Sequence, residues 1–324
     1  PPEARARIAS VLHTTEAHRY PDGRATKLRE ALSNGFGGSQ DEYVLGAGSD
    51  ELIALLATAM ATPRQGAERP VVVVPEPTFV MYRMTSRAHG WGVVGVPLDD
   101  AWDLDADAMA NAIERAQPKL VYYATPNNPT GNCFSRDRVC SLVEAFPDTL
   151  HVVDEAYGAY SGQSYATFAE EHPQCALMGT LSKVGFAGVR VGWVRIDEAL
   201  SPELEKVRQP FNLNTASQEI ATLALTDLAP MIEEQITTVV AERERLTAAL
   251  DEHDALHCCP SDANFLLVRY AGDVPELCRA LLAGEIAVRQ FKNGDPRLQS
   301  CVRITVGTPE ENQRLIEALR DILG

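Results

Sequence analysis

Three short apolar runs, residues 71–74, 120–123 and 151–153, constrain the fold more than any other feature of this chain. Each is continuous in hydrophobicity rather than alternating, as expected of strands buried on both faces of a parallel sheet. A fourth run, 189–196, also reads as a strand, and helical patterns lie between the runs at 50–60, Ala106–Ala116 and 137–145. Such alternation requires right-handed crossovers and a sheet sandwiched by helices. After about Thr226 the texture changes. A long, densely charged helical stretch spans 231–250, and 263–269 and 301–306 read as strands of a smaller α+β unit. The last helix is predicted over Pro309–Leu323, after Thr308 and with Glu310 and Glu311 in its first turn. The expected fold class is α/β, with a mostly parallel sheet in a large domain (19–226) and a smaller α+β domain (1–18 with 227–324).

Composition excludes several partners. In 324 residues, 29 basic against 45 acidic side chains give 29 − 45 = −16. Nucleic acid and anionic membranes need basic patches, so neither is an expected partner. No apolar run approaches the roughly 20 residues of a membrane span. The seven cysteines have no zinc-like spacing and read as ordinary small hydrophobes in a reducing compartment, with no metal expected. The first residues lack an initiator Met and a signal-peptide pattern, and we expect a cytoplasmic fragment, a processed form or the ordered part of a longer chain.

In such a sheet, ligands bind at the carboxyl ends of the strands, so the residues after each strand carry the chemistry. Gly46-Ala47-Gly48-Ser49-Asp50-Glu51 opens a helix with flexible glycines and a Ser/Asp cap, a setting that suits a phosphate; alone it is an ordinary capped helix. Phe79, after the 71–74 run, offers a ring that could stack on a flat cofactor or merely pack a loop. Pro126 to Gly131 form a rigid turn that fixes the Asn128 amide. Asp154 emerges from an apolar strand, where an ionised carboxylate needs a partner such as a protonated ring nitrogen; Tyr157 follows three residues on. The segment Thr180-Leu181-Ser182-Lys183, with Gly185, Gly188 and Arg190, sets a lysine beside hydroxyls and another cation. A lysine so placed has a depressed pKa and can attack an aldehyde, while Arg190 and the hydroxyls suit a phosphate. Arg289 and Arg303 lie in the smaller unit. A strand arginine amid apolar neighbours wants an anion, internal or substrate-borne.

Together these segments resemble fold-type-I pyridoxal-5′-phosphate (PLP) enzymes, and among them the histidinol-phosphate aminotransferase family. The resemblance runs nearly end to end: Tyr20-Pro21-Asp22, Gly48-Ser49-Asp50-Glu51, Pro77-Thr78-Phe79, Asn128-Pro129-Thr130-Gly131, Asp154-Glu155-Ala156-Tyr157, Thr180 to Lys183, Ala187 to Gly192, and Val302 to Gly307. It implies that Lys183 is the Schiff-base lysine and proton carrier, and that Asp154 pairs with the pyridinium nitrogen. It further implies that Asn128 and Tyr157 bond the ring O3′ and that Phe79, often Tyr in the family, stacks on the ring. Ser49, Asp50, Ser182 and Arg190 would bind the phosphate. Tyr20 would reach the neighbouring subunit's phosphate, implying a homodimer with shared sites, and Arg303 with Arg289 would bind substrate anions. The family's Asn-rich N-terminal arm is not in these residues. The implied activity is transamination of histidinol phosphate with 2-oxoglutarate in histidine biosynthesis. The alternatives are an aromatic or other amino-acid aminotransferase of the same fold, or an enzyme like threonine-phosphate decarboxylase. A PLP-binding regulator without turnover fits less, because no DNA-binding segment is attached.

Overall fold

The computed structural model describes residues 1–324. Seven strands form the first sheet: β1 (Tyr43–Gly46), β2 (Val71–Glu76), β3 (Gly92–Pro97), β4 (Leu120–Ala124), β5 (Leu150–Asp154), β6 (Cys175–Thr180) and β7 (Gly192–Arg195). Their order is β1-β7-β6-β5-β4-β2-β3, and β2 to β6 are all parallel. Only β7 runs against its neighbours, antiparallel to both β6 and β1. The continuous apolar runs therefore sit at the sheet centre, where both faces are covered.

The helices are α1 (Pro2–Thr14), α2 (Thr26–Phe36), α3 (Ser49–Ala59), α4 (Val80–Ala88), α5 (Ala106–Ala116), α6 (Arg136–Ala145), α7 (Ala166–Glu171), α8 (Ser201–Val207), α9 (Thr215–Leu225), α10 (Ala229–Asp251), α11 (Val274–Ala283) and α12 (Pro309–Leu323). Successive residues of β4 point to opposite faces. Val121 and Tyr123 meet Met109 and Ile113 of α5 and Val139 and Val143 of α6. Leu120 and Tyr122 meet Leu52 and Leu56 of α3 and Tyr82 of α4. No helix is long and apolar enough to cross a membrane.

The second sheet is antiparallel, with order β10 (Arg289–Gln290), β11 (Cys301–Thr305), β9 (Phe265–Tyr270), β8 (Leu256–Cys258). Its core gathers Leu246 and Leu250 of α10, Leu277 and Leu281 of α11, and Leu315 and Leu319 of α12. Burying each such leucine stabilises the unit by roughly 1.5–3 kcal/mol, so this small sheet owes its order mainly to the helices behind it. Helix α12 starts as the sequence predicts. The Thr308 hydroxyl accepts from Glu311 N–H, and the Glu311 carboxylate accepts from Thr308 N–H.

Two expectations are corrected. Residues 189–196 are not all strand: Ala187–Val189 form one 3₁₀ turn, Arg190 is left-handed (φ 55°), and β7 begins at Gly192. The β-branched Val189 and Val191 imitate a strand, yet the chain turns between them. Nor do Ser49 and Asp50 cap α3. The cap is Gly48 (φ 84°), with no side-chain cap bond, so both residues lie inside the first turn.

Candidate active site

Strand direction brings the chemical segments to one edge. The parallel strands β2, β4, β5 and β6 end there, delivering Phe79, Asn128, Asp154 and Lys183 respectively. Antiparallel β7 starts there, just after Arg190, and β1 ends there, just before Ser49. Gly192 is in register with both Thr180 and Gly46, which fixes the lysine and glycine loops side by side. Ser49, Phe79, Asn128, Asp154, Tyr157 and Lys183 line a single cleft.

Asp154 forms its buried floor, 4% exposed. Both carboxylate oxygens are held, Oδ1 by Ala156 N–H (2.9 Å) and Oδ2 by the Tyr82 hydroxyl (2.5 Å). Burial pushes this carboxyl up to about 6, while those two hydrogen bonds and the Lys183 charge restrain the rise. The next residue, Glu155, faces away from the cleft, as strand-like alternation requires. It accepts from Tyr165 N–H (2.6 Å) and the Ser164 hydroxyl (3.2 Å), and tethers a loop. Lys183 extends over the ring of Tyr157, Nζ 5.3 Å from its centre. Burial lowers the lysine pKa, opposed by Asp154 and aided by Arg303. A larger fraction of its amine is therefore free to act as a nucleophile or base.

Asn128 is oriented by Arg303. Its Oδ1 accepts from Arg303 Nη1 (2.5 Å), which leaves the amide N–H donors free for the cleft. The preceding Asn127, which the sequence reading passed over, locks the turn. It is fully buried, donates to the Pro77 carbonyl and the Thr130 hydroxyl, and accepts from the Thr78 hydroxyl. Tyr157 packs edge-on against Phe265 (5.1 Å), which also lies 5.0 Å beneath the Arg303 guanidinium. The Nε of Arg303 is buried without a partner, an open donor beside the cleft.

At the other end, Arg190 uses its left-handed backbone to fold back onto the glycine loop. It donates to the Ala47 carbonyl (3.1 Å) and lies 3.6 Å from Asp50. A Cβ on Gly48 would stand 2.5 Å from that guanidinium, and one on Gly192 would stand 2.9 Å from the Ser49 nitrogen. Only glycine permits this close approach. Thr180 accepts from Ser182 N–H (3.1 Å), and the Ser182 hydroxyl lies 2.9 Å from that of Thr180. Uncapped first-turn N–H groups, a guanidinium and hydroxyls suit a phosphate dianion. A buried carboxylate, a nearby aromatic ring and a lysine of lowered pKa suit the ring and aldehyde of PLP. The residues present fit that cofactor.

Tyr20 lies outside this cleft, 83% exposed and stacked on Phe211 (4.8 Å). Arg289 is exposed on β10, in register with Arg303. Sequence reasoning missed Tyr82. A tyrosine on an amphipathic helix carries no local sign that its hydroxyl reaches a carboxylate on another element.

The fold and site define the class I and II aminotransferases, PLP-dependent enzymes whose family model matches residues 1–319. Histidinol-phosphate aminotransferase of Chromobacterium violaceum is 40% identical over 321 residues, covering 99% of this chain and 88% of that protein. Its Aquifex aeolicus counterpart is 37% identical with the same coverage. The solved structure of histidinol-phosphate aminotransferase from Sinorhizobium meliloti in complex with pyridoxal-5′-phosphate superposes with a TM-score of 0.87 at 25% identity, covering 100% of this chain and 87% of that one. The chain belongs to the histidinol-phosphate aminotransferase family.

Proposed function

We propose that this aminotransferase acts in histidine biosynthesis, in the cytoplasm, moving the amino group of L-histidinol phosphate to 2-oxoglutarate to give imidazole-acetol phosphate and glutamate. The observation that carries the substrate is the pairing of Arg289 with Arg303. Directly opposed residues of antiparallel strands project from the same face, and like charges there are destabilising unless an anion joins them. The acid nearest to Arg289 in sequence, Glu285, could have been its internal partner. That carboxylate instead meets Arg314 (3.3 Å). A phosphate dianion matches two guanidiniums, and the same pair accepts the carboxylate of the second substrate.

PLP, when bound, supplies an electron sink for the carbon that exchanges the amino group. In this reading Asp154 holds the proton on its ring nitrogen, and Asn128 and Tyr157 bind O3′. Phe79 covers the ring. The Ser49 and Asp50 N–H groups, Ser182 and Arg190 bind its phosphate. Lys183 would hold the cofactor covalently, and its Nζ would move the proton at substrate Cα. The second sheet has a helix-backed core of its own on one face, while Leu267 and Cys301 on its other face join the cluster around α5 and α6. The two sheets support a large unit (19–226) and a small one (1–18 with 227–324) that meet over the cleft, with α1 resting on α9 at the seam.

Purified enzyme should convert histidinol phosphate only when 2-oxoglutarate is present. Release of CO₂ from a phosphorylated amino acid such as threonine phosphate, with no 2-oxo acid present, would point to a decarboxylase, and turnover confined to aromatic donors would remove histidinol phosphate. Arg289→Gln refines the test. The kcat/KM for histidinol phosphate should fall by roughly 1.5–3 kcal/mol, the worth of a hydrogen bond to a charged group, with a smaller loss for glutamate. Equal small losses would make Arg289 a bystander.

We further propose a homodimer with shared sites, in which the exposed Tyr20–Phe211 pair meets the partner and Tyr20 reaches the partner's phosphate site. Mixing Tyr20→Phe and Lys183→Ala subunits should then yield hybrids with one doubly defective site and one intact site. Random exchange would restore about a quarter of wild-type sites, on two-fold symmetry alone. Activity that stays at the mean of the separate variants, despite confirmed exchange, would count against sharing.

A further inference from the structure

We propose that Tyr82 is a positioning residue for Asp154, holding that carboxylate ionised and in one rotamer for the cofactor's ring nitrogen. The proposal rests on the reading above that Asp154 pairs with that nitrogen.

Tyr82 lies in the first turn of α4 and is wholly buried, and its hydroxyl has one well-defined acceptor, Asp154 Oδ2 at 2.5 Å. A hydroxyl aimed at a buried carboxylate can only donate usefully, since the carboxylate carries no proton to give while ionised. The phenol cannot take over the negative charge. Burial, then the charge of Asp154, pushes its own ionisation well above the ordinary tyrosine range. The ring is equally fixed. It stacks on Tyr122 at 4.4 Å with planes 6° apart, and meets Phe79 edge-on at 5.5 Å. One side chain thus ties the ring beside the cleft, Phe79, to the carboxylate on its floor.

The electrostatic setting makes this donor matter. Lys183 favours the Asp154 anion, Asp50 opposes it, and the neutral hydroxyl-bearing rings of Tyr82, Tyr122 and Tyr157 surround it. Burial alone drives the carboxyl towards its neutral form, and the Tyr82 and Ala156 hydrogen bonds oppose that drive. Without the Tyr82 bond, one oxygen loses its donor and the neutral form gains.

Tyr82→Phe removes one oxygen and keeps the stacked ring. The control lies in the same stack: the Tyr122 hydroxyl is buried with no partner, so Tyr122→Phe deletes a chemically identical group that holds nothing. Two quantities are measured for each variant, the PLP dissociation constant of apoenzyme between about pH 5 and 9 and the acid limb of kcat/KM. Tyr82→Phe should weaken PLP binding roughly ten- to a hundredfold at neutral pH and move the acid limb upward by about one to two pH units. Tyr122→Phe should move neither. Placing 3-fluorotyrosine at position 82, a stronger donor of the same shape, should move the limb the other way and gives a second reading if Tyr82→Phe folds poorly. A Tyr82→Phe enzyme that shifts no further than Tyr122→Phe, or a fluorotyrosine enzyme whose limb stays put, overturns the proposal. Asp154→Asn separates the two levels. If it too leaves PLP affinity unchanged, the assignment of Asp154 is at fault; if it abolishes affinity while Tyr82→Phe does not, only the role of Tyr82 falls.

Discussion

Lys183→Ala is expected to lower kcat by about 10⁴-fold or more while leaving the fold in place. The side chain has two duties in the proposed scheme, covalent attachment of PLP and proton transfer at substrate Cα. Proton transfer by a positioned group is by itself worth roughly 10²–10⁴-fold, and loss of the covalent step adds to it. No other lysine can substitute. Lys27 and Lys206 sit in exposed ion pairs with Glu219 and Glu203. Lys119 immediately precedes β4, at the end of the sheet opposite the cleft, and Lys292 is exposed in the small unit. Lys183 alone combines partial burial, a lowered pKa and a position at the carboxyl edge. Borohydride reduction of the wild-type holoenzyme, followed by peptide mapping, should therefore leave the pyridoxyl group on Lys183. A label on Lys119, Lys206 or another lysine, or appreciable turnover by Lys183→Ala, would remove it from the centre of the chemistry. Because the lysine has no structural hydrogen bond to replace, thermal stability of the apo variant should stay close to wild type.

What the sequence discloses and what it hides differ by the range of the interaction. The central strands β2, β4 and β5 are legible because burial on both faces demands unbroken hydrophobicity, a property of the strand itself. The strands β1, β3 and β6 are not. Each contains glycine, and β3 lies at the sheet edge, so the local texture is that of a loop. At 189–191 the error runs the other way, since valines imply extension where a left-handed Arg190 bends the chain to serve the glycine loop. The cleft residues are legible as types after strands because a parallel sheet sends all such segments to one edge. Their partners are less so. That Arg303 holds the Asn128 amide, that Asn127 locks the turn and that Tyr82 grips Asp154 are contacts across 175, 49 and 72 residues, and no local pattern encodes them. The exposure of Tyr20 and Arg289 is likewise set by tertiary position, and their roles wait on a partner subunit and a substrate.

Asp154→Asn should reduce kcat by roughly 150- to 5000-fold, on the order of 3–5 kcal/mol for removing one member of a buried charge pair at a reacting centre. The geometry makes this substitution more telling than its small size suggests. Aspartate offers two acceptor oxygens, and the protein supplies a donor to each, Ala156 N–H to Oδ1 and the Tyr82 hydroxyl to Oδ2. Their remaining lone pairs are what the ring nitrogen's proton would use. Asparagine keeps a single oxygen, so its NH₂ must face one of those two donors or the ring itself. The Tyr82 hydroxyl can rotate to accept; the Ala156 N–H cannot. The amide is therefore expected to settle with its oxygen on Ala156 and its NH₂ towards Tyr82 and the cofactor, presenting a donor where a negative charge stood. The negative charge that Asp154 would set beside the ring nitrogen is then gone, and the electron sink that PLP would supply is weakened. Because the replacement is isosteric and removes a carboxylate that burial already disfavours, the melting temperature of apoenzyme should hold or rise. The measurement is kcat for saturating histidinol phosphate and 2-oxoglutarate at saturating PLP, beside the apoenzyme melting temperature. A large fall in kcat with an unchanged or higher melting temperature marks Asp154 as the ring partner. Near wild-type kcat would reduce it to a residue that caps its own loop.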